Sequence, residues 1–282
     1  MKHIFALCLL SVSTVSFSAD RSIFDLMYLP NAGTTYGQTD FNLIKGETKT
    51  PGNDSEETGY LFQQTLGHSV CDRFLLSAQL DWQNTKTDLD FGPNQKEKGL
   101  SDPSLDARYR VVDKALMVDI LAGFTFSTGD RKIDGNEFDH IRGGHSLRAG
   151  AQVGQKEESF QWAASGIVNR NFKAKTKVTG GGSFEDDAYN SYGLGASVLK
   201  KLAEETYLLG QLAATFADDY DDNNNSKNPS STTYDLTAGA RQILSQDLMF
   251  QVALTYTQIN QESGQIDSSS KWNLNAALRY QF

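Results

Sequence analysis

Apolar and polar residues alternate along this chain with a period of two. In the stretch KALMVDILAGFTFST, Leu116, Val118, Ile120, Ala122, Phe124 and Phe126 share one face. Met117, Asp119, Leu121, Gly123 and Thr125 share the other. Successive side chains of a strand point to opposite faces, so this segment reads as a strand with one wholly apolar face and one mixed face. A helix would scatter both sets around its circumference. The final segment repeats the pattern: Trp272, Leu274, Ala276, Leu278, Tyr280 and Phe282 against Asn273, Asn275, Ala277, Arg279 and Gln281. Its apolar set begins and ends on aromatic rings about ten residues apart, the spacing of the two aromatic girdles on a tilted membrane strand.

Twelve such segments are predicted, near 34–46, 57–68, 74–87, 102–112, 115–128, 145–156, 160–176, 189–201, 206–219, 232–243, 248–261 and 270–282. Their connections alternate in length. Long polar links such as GETKTPGNDSE, DFGPNQKEKG, GDRKIDGNEFDH, GGGSFEDD, DDNNNSKNPSS and ESGQIDSS take turns with the short links SVCDR, VDK, EES, AEE and SQD. The pattern predicts an all-β fold: a single transmembrane antiparallel β-barrel of about 12 strands, with short periplasmic turns and long external loops. A secreted sandwich or soluble barrel would also alternate, but with its apolar faces turned inward. An even strand number puts both ends of the barrel on the short-turn side. There the alternating strand closing on Tyr280 and Phe282 resembles the C-terminal signal that barrel-assembly machinery recognises in bacterial outer-membrane proteins.

The N-terminus refines the placement. Lys2 and His3, the apolar run IFALCLL and the small residues SVSTVSFSAD have the layout of a secretory leader, with cleavage expected after Ser18 or Ala19. The expected organisation is a signal peptide over 1–19, a periplasmic lead over 20–33 and a barrel over 34–282. No later stretch is long and apolar enough for a membrane helix. Once the leader is removed, Cys71 remains alone, so no internal disulfide can form. The net charge is −9, which argues against nucleic acid as a partner. A mean hydropathy of −0.45 is compatible with a barrel, because polar lumen residues offset the apolar exterior.

If the apolar faces look outward, the opposite faces line a lumen. They carry Asp40, Asp81, Asp106, Arg108, Arg110, Asp119, Arg148, Asp235, Arg241 and Arg279, with Gln79, Gln152, Gln161, Asn169, Thr237, Gln251, Asn273 and Asn275. These charges read either as a salt-bridge network that fills and stiffens the lumen or as a transverse field that orients polar solutes. Twelve strands lie between the filled eight-strand barrel and the open sixteen-strand porin, so bulk and inserted segments decide whether the lumen is open. Gly123, Gly150, Gly154, Gly193, Gly195, Gly210 and Gly239 leave room or let the wall bend. The lead RSIFDLMYLPNAG is expected to run as an extended periplasmic strap, with a plug folded into the lumen as the alternative.

Little of the chain suggests catalysis. Asp139–His140 and the acid pairs Asp186–Asp187 and Asp218–Asp219 fall near external loops, where an acid and a histidine could activate water. His145 and Ser146 are adjacent, so they point to opposite faces of a strand. DDYDDNNN lacks the glycine and glutamate of an EF-hand loop and reads as a solvated acidic loop. No metal or cofactor is expected.

Gly99 to Val111, GLSDPSLDARYRV, resembles the Gly-x-x-Asp…Tyr-Arg segment of the bacterial outer-membrane proteins grouped as the phenol-degradation meta-pathway family. TFSTGD at 125–130, followed by a Gly-rich loop and LRAGAQVG, is similar to the same family. The resemblance implies a barrel that passes small, often hydrophobic or aromatic, molecules, and it carries over to Gly99, Asp102, Asp106 and Tyr109. The functional expectation is an outer-membrane channel or passive transporter in a Gram-negative cell. Its partners would be the bilayer, lipopolysaccharide, the assembly machinery and small solutes. Arg108, Arg110, Arg148, Arg241, Arg279, Asp81, Asp106, Asp119 and Asp235 would set its selectivity. The alternatives are a sealed structural barrel that acts through its acidic loops and a barrel hydrolase using Asp139 and His140.

Overall fold

The computed structural model describes Ile23 and residues 25–50, 54–221, 227–261 and 268–282. The expected leader, and residues 222–225 of DDYDDNNN, lie outside them. In chain order the strands begin with β1 (Thr35–Lys49), β2 (Ser55–Cys71), β3 (Phe74–Leu89), β4 (Gln95–Leu100), β5 (Ser104–Asp113) and β6 (Leu116–Thr125). Next come β7 (Arg131–Asp134), β8 (Glu137–Asp139), β9 (Ser146–Lys156), β10 (Phe160–Asn171), β11 (Ala174–Val178) and β12 (Ser183–Asp186). The chain ends with β13 (Tyr189–Ala203), β14 (Thr206–Ala217), β15 (Tyr220–Asp221), β16 (Lys227–Asn228), β17 (Ser231–Ser245), β18 (Leu248–Gln261) and β19 (Ser268–Gln281).

Twelve of these strands, β1, β2, β3, β5, β6, β9, β10, β13, β14, β17, β18 and β19, pair antiparallel as the staves of one barrel. Closure comes from β1 against β19, with Tyr36 opposite Gln281 and Lys49 opposite Ser268. A closed barrel leaves no unpaired edge, and this is what allows a sheet to sit in hydrocarbon. Each stave corresponds to one segment read from the alternation. Four of the short turns are preceded by a register shift, at Ser69/Cys71, Arg110/Val112, Lys201/Ala203 and Ile243/Ser245. Bulges of this kind bend strands at a barrel rim.

The long links differ from the expectation of unstructured loops. The predicted segment 160–176 breaks after Asn171, and β11 begins at Ala174. Beyond the staves, β4 folds back antiparallel on β3 and runs parallel to β8, β7 turns back on β8, and β7 runs parallel to β11, which pairs with β12. These short strands raise the wall on one side of the long-loop end. The signal is local: Gly135-Asn136 is a two-residue hairpin turn, and Gly135 has φ 60.

The outward faces are apolar and open. Leu194 is 62% exposed and Leu212 61% exposed, and Leu43, Leu66, Leu105, Ile120 and Leu236 stand on the same outer surface. So large an apolar surface is untenable in water and suits lipid. Aromatic rings mark its two borders. Tyr256 lies against Trp272 at 4.8 Å and Tyr60 against Trp82 at 5.4 Å. Tyr280 stacks on Phe282 at 5.9 Å on the short-turn side.

The clustered buried apolar residues lie inside the lower mouth, where the lead enters the barrel. Ile23 and Tyr28 pack with Met249 and Tyr36, and Leu26 packs on Leu199, Tyr207, Leu209 and Ile243. Met27 lies against Gly154, where a β-carbon would collide with its sulfur. Ser69 Oγ donates to the Pro30 carbonyl at 2.8 Å and Gly33 N to the Ser69 carbonyl at 2.8 Å. The described residues of the lead therefore fill the lumen from the short-turn side instead of running along its rim. Their apolar side chains find cover there that a strap in water would not give them.

Candidate functional site: the barrel lumen

The ten charged residues read as lumenal from the alternation fall into three groups by their partners. The lowest is centred on Arg110, fully buried among carboxylates. Its Nε donates to Asp119 Oδ1 at 2.8 Å, its Nη2 to Asp119 Oδ2 at 3.2 Å and to the Met27 carbonyl at 2.5 Å, and its Nη1 to Asp113 Oδ1 at 3.3 Å. Asp119 also accepts from Gln152 Nε2 at 2.8 Å. Buried charges survive only when paired and hydrogen-bonded, and Arg110 and Asp119 meet that condition. Arg279 donates to Gln38 Oε1 at 2.8 Å and to the Ile23 carbonyl at 3.0 Å, and its guanidinium lies over the Tyr28 ring. Arg241 Nε donates to Gln251 Oε1 at 2.6 Å. Asp25 of the lead accepts from Gln161 Nε2 at 2.7 Å and Lys156 Nζ at 3.0 Å.

Above this floor, Arg148 is paired with Asp106 across the face of Gly123. A side chain at 123 would overlap Asp106, so glycine is what lets the pair close. Tyr36, Leu75, Ser77, Asp106, Arg108, Leu121, Arg148 and Ile167 line a cavity of about 250 Å³ here. The third group lies farther from the short turns and is acidic and lightly held. Asp81 accepts from Gln79 at 3.2 Å, Asp235 from Thr257 Oγ1 at 2.5 Å, and Asp40 from Gln38 at 2.9 Å.

The outer mouth holds a separate polar recess lined by Glu97, Arg131, His140, Arg142, Asp186, Tyr189 and Tyr220. Tyr189 stacks on Tyr220 at 4.4 Å, and burial pushes the Tyr220 hydroxyl up to about 12. His140 Nδ1 is 2.9 Å from Glu97 Oε1. Burial alone would raise the Glu97 carboxyl. The hydrogen bond from His140 and the nearby Arg131 guanidinium outweigh it and hold Glu97 below the usual carboxylate range. A carboxylate lowered on folding stabilises the fold above its unfolded value and loses that stabilisation as pH falls through the folded value. Backbone amide exchange across Gln95–Leu100, corrected for intrinsic rates, should therefore be unchanged from pH 7 to pH 5. It should rise only below about pH 4. Faster exchange beginning near neutrality would show that Glu97 does not hold this wall.

The residues carried by the family resemblance fall at structural positions. Asp102, nearly buried, accepts from Thr128 N at 2.7 Å, Thr128 Oγ1 at 2.9 Å, Arg142 N at 3.0 Å and Gly143 N at 3.4 Å. It thus ties the start of β5 to both ends of the β6–β9 link. Gly99 has φ 129, a conformation that favours glycine. Tyr109 faces outward, opposite Phe74. Among the groups considered for catalysis, His140 is joined to Glu97, and the Asp139 carbonyl accepts from Arg131 at 3.2 Å. Asp187 is paired with Lys173 at 2.7 Å, and Asp218 accepts from Asn190 at 3.1 Å. His145 stacks on Phe124 and accepts from Ser127 N at 3.0 Å. The floor that Asp25, Tyr28, Tyr36 and Lys156 form with Gln161 was not assigned from sequence, which placed Gln161 in the lumen but gave it no partner, because nothing local pairs the lead with particular staves.

No protein-family model and no curated protein matches this chain. Solved structures do share its fold. An outer-membrane channel of Pseudomonas putida F1 is similar over 96% of this chain and 100% of its own, at 16% identity and a TM-score of 0.71. The translocator domain of autotransporter NalP of Neisseria meningitidis is similar over 89% of this chain and 90% of its own, at 12% identity and a TM-score of 0.56. The β domain of the Bordetella autotransporter BrkA covers 89% of this chain and 100% of its own, at 16% identity and a TM-score of 0.51. The fold is that of outer-membrane barrels.

Proposed function

We propose that this chain is a passive outer-membrane channel for small molecules, exported through its leader and closed on the periplasmic side by the lead. The observation that carries the reading is a polar lumen with an open cavity, bounded below by a short segment that is hydrogen-bonded to the wall and not part of it. Residues 25–32 belong to no strand of the sheet, so they can leave without breaking its ladder. The likeness to the Pseudomonas channel over the whole chain supports it. Tyr280 and Phe282 would serve assembly. The acidic long loops would meet lipopolysaccharide, and the outward apolar band the bilayer.

A sealed structural barrel is the second reading, favoured by the density of bonds between lead and wall. A charge swap separates the two. Arg148→Glu puts a carboxylate beside Asp106 in the wall of the path, so the reversal potential in a salt gradient should move toward cation preference. An unchanged reversal potential would remove Arg148 from the conducting path, and a barrel silent under all conditions would favour the sealed reading.

A further inference from the structure

We infer that the cavity above the floor is a binding site for a small carboxylate with an apolar body, such as an aromatic monoacid. This deepens the channel reading by naming its solute class. The cavity has an apolar wall of Tyr36, Leu75, Leu121 and Ile167. Its charged edge is formed by Asp106, Arg108 and Arg148. Asp106 and Arg148 satisfy each other. Arg108 differs: its Nε and Nη2 are covered and have no hydrogen-bond partner among the described residues. The nearest carboxylate is Asp119, 3.7 Å from Nε and already bound to Arg110 and Gln152. Buried donors without partners are rare because each forgoes a bond it could make in water.

The missing partner is an acceptor, and one can approach from the cavity that Arg108 borders once the guanidinium turns its covered edge toward it. A planar carboxylate fits a guanidinium fork through two parallel bonds. The apolar wall takes the rest of the molecule. At about 250 Å³ the space lies just under the range of roughly 300–1,000 Å³ for drug-sized ligands, so a single ring is the suitable size. A cation would find Asp106 already occupied by Arg148. A plain hydrocarbon would leave Arg108 as it is. Tyr36 forms the wall of the cavity and also meets Tyr28 of the lead edge-on at 5.8 Å, so a bound ring touches the residue on which the floor rests.

The test is calorimetric titration of the refolded mature chain with benzoate and with benzamide, its neutral counterpart of the same shape, alongside bilayer conductance of the same preparation. Benzoate should bind at least about tenfold more tightly than benzamide, the scale of one charge-assisted contact. Arg108→Gln should abolish the difference. Leu121→Trp, which fills the cavity and leaves the charges in place, should abolish benzoate binding. Equal binding of the two solutes, or undiminished benzoate binding by Leu121→Trp, would overturn the inference. Conductance without carboxylate preference would sink this site and leave the channel. Benzoate binding by a silent barrel would sink the channel and leave the site.

Discussion

Removal of residues 20–32 is expected to raise single-channel conductance by roughly tenfold, since a twelve-strand lumen freed of its filling lies on the open side of the eight-strand limit. The described lead occupies the lower mouth through three kinds of contact. Ile23, Leu26, Met27 and Tyr28 are packed on side chains of the wall. The carbonyls of Ile23, Met27 and Pro30 accept from Arg279, Arg110 and Ser69. Asp25 is held by Gln161 and Lys156. The barrel itself begins at Thr35 and closes through β1 and β19, so the truncated chain should still fold and keep its shift in gel mobility on heating. Current steps of the same size in the truncated and intact proteins would show that the lead does not restrict the path.

Asp119→Ala is expected to be the most damaging single change in the wall. It removes two bonds to Arg110 and one to Gln152 and leaves a guanidinium that is only 2% exposed. Breaking a buried pair from one side costs about 3–5 kcal/mol, because the remaining charge stays desolvated. Asp235→Ala, which loses one bond to Thr257 in a half-exposed position, should cost about 1 kcal/mol or less. The double replacement Arg110→Leu with Asp119→Leu should recover part of the loss, since the apolar pair removes the stranded guanidinium while Asp113 and Gln152 still lose a partner. Urea unfolding in vesicles measures all three. A loss for Asp119→Ala no larger than for Asp235→Ala would mean that the pair is solvated and does not anchor the wall.

The staves were legible because each repeats a two-residue period over ten or more residues, and lipid demands an apolar outer face along its whole length. The same alternation assigned Asp119 and Arg110 to the lumen. It did not pair them, because pairing depends on register between β5 and β6, including the irregularity at Arg110/Val112. The lead was not legible. RSIFDLMYLPNAG has no period, and its apolar residues suit a strap under the rim as well as a plug inside it. Strands β4, β7, β8, β11 and β12 were hidden for a different reason. They are three to six residues long, too short to establish a period of two, and partly paired in parallel with distant segments. Asp102 stood out in sequence through its motif, but its part in holding Thr128, Arg142 and Gly143 follows only from the folded loops.

The central claim is that the lead gates an aqueous path, and a reversible lock tests it most directly. Met27 Cγ, where a cysteine sulfur would sit, is 3.2 Å from the position of a β-carbon at residue 154. That is close to the separation across a disulfide, although the Trp162 carbonyl, 2.6 Å from the same position, has to shift to admit the new side chain. In a Cys71→Ser background, the pair Met27→Cys and Gly154→Cys should cross-link under oxidation. Conductance should then fall to the baseline and return when a reductant is added to the same bilayer. Identical current in the oxidised and reduced states, with the cross-link verified by mass, would contradict the account.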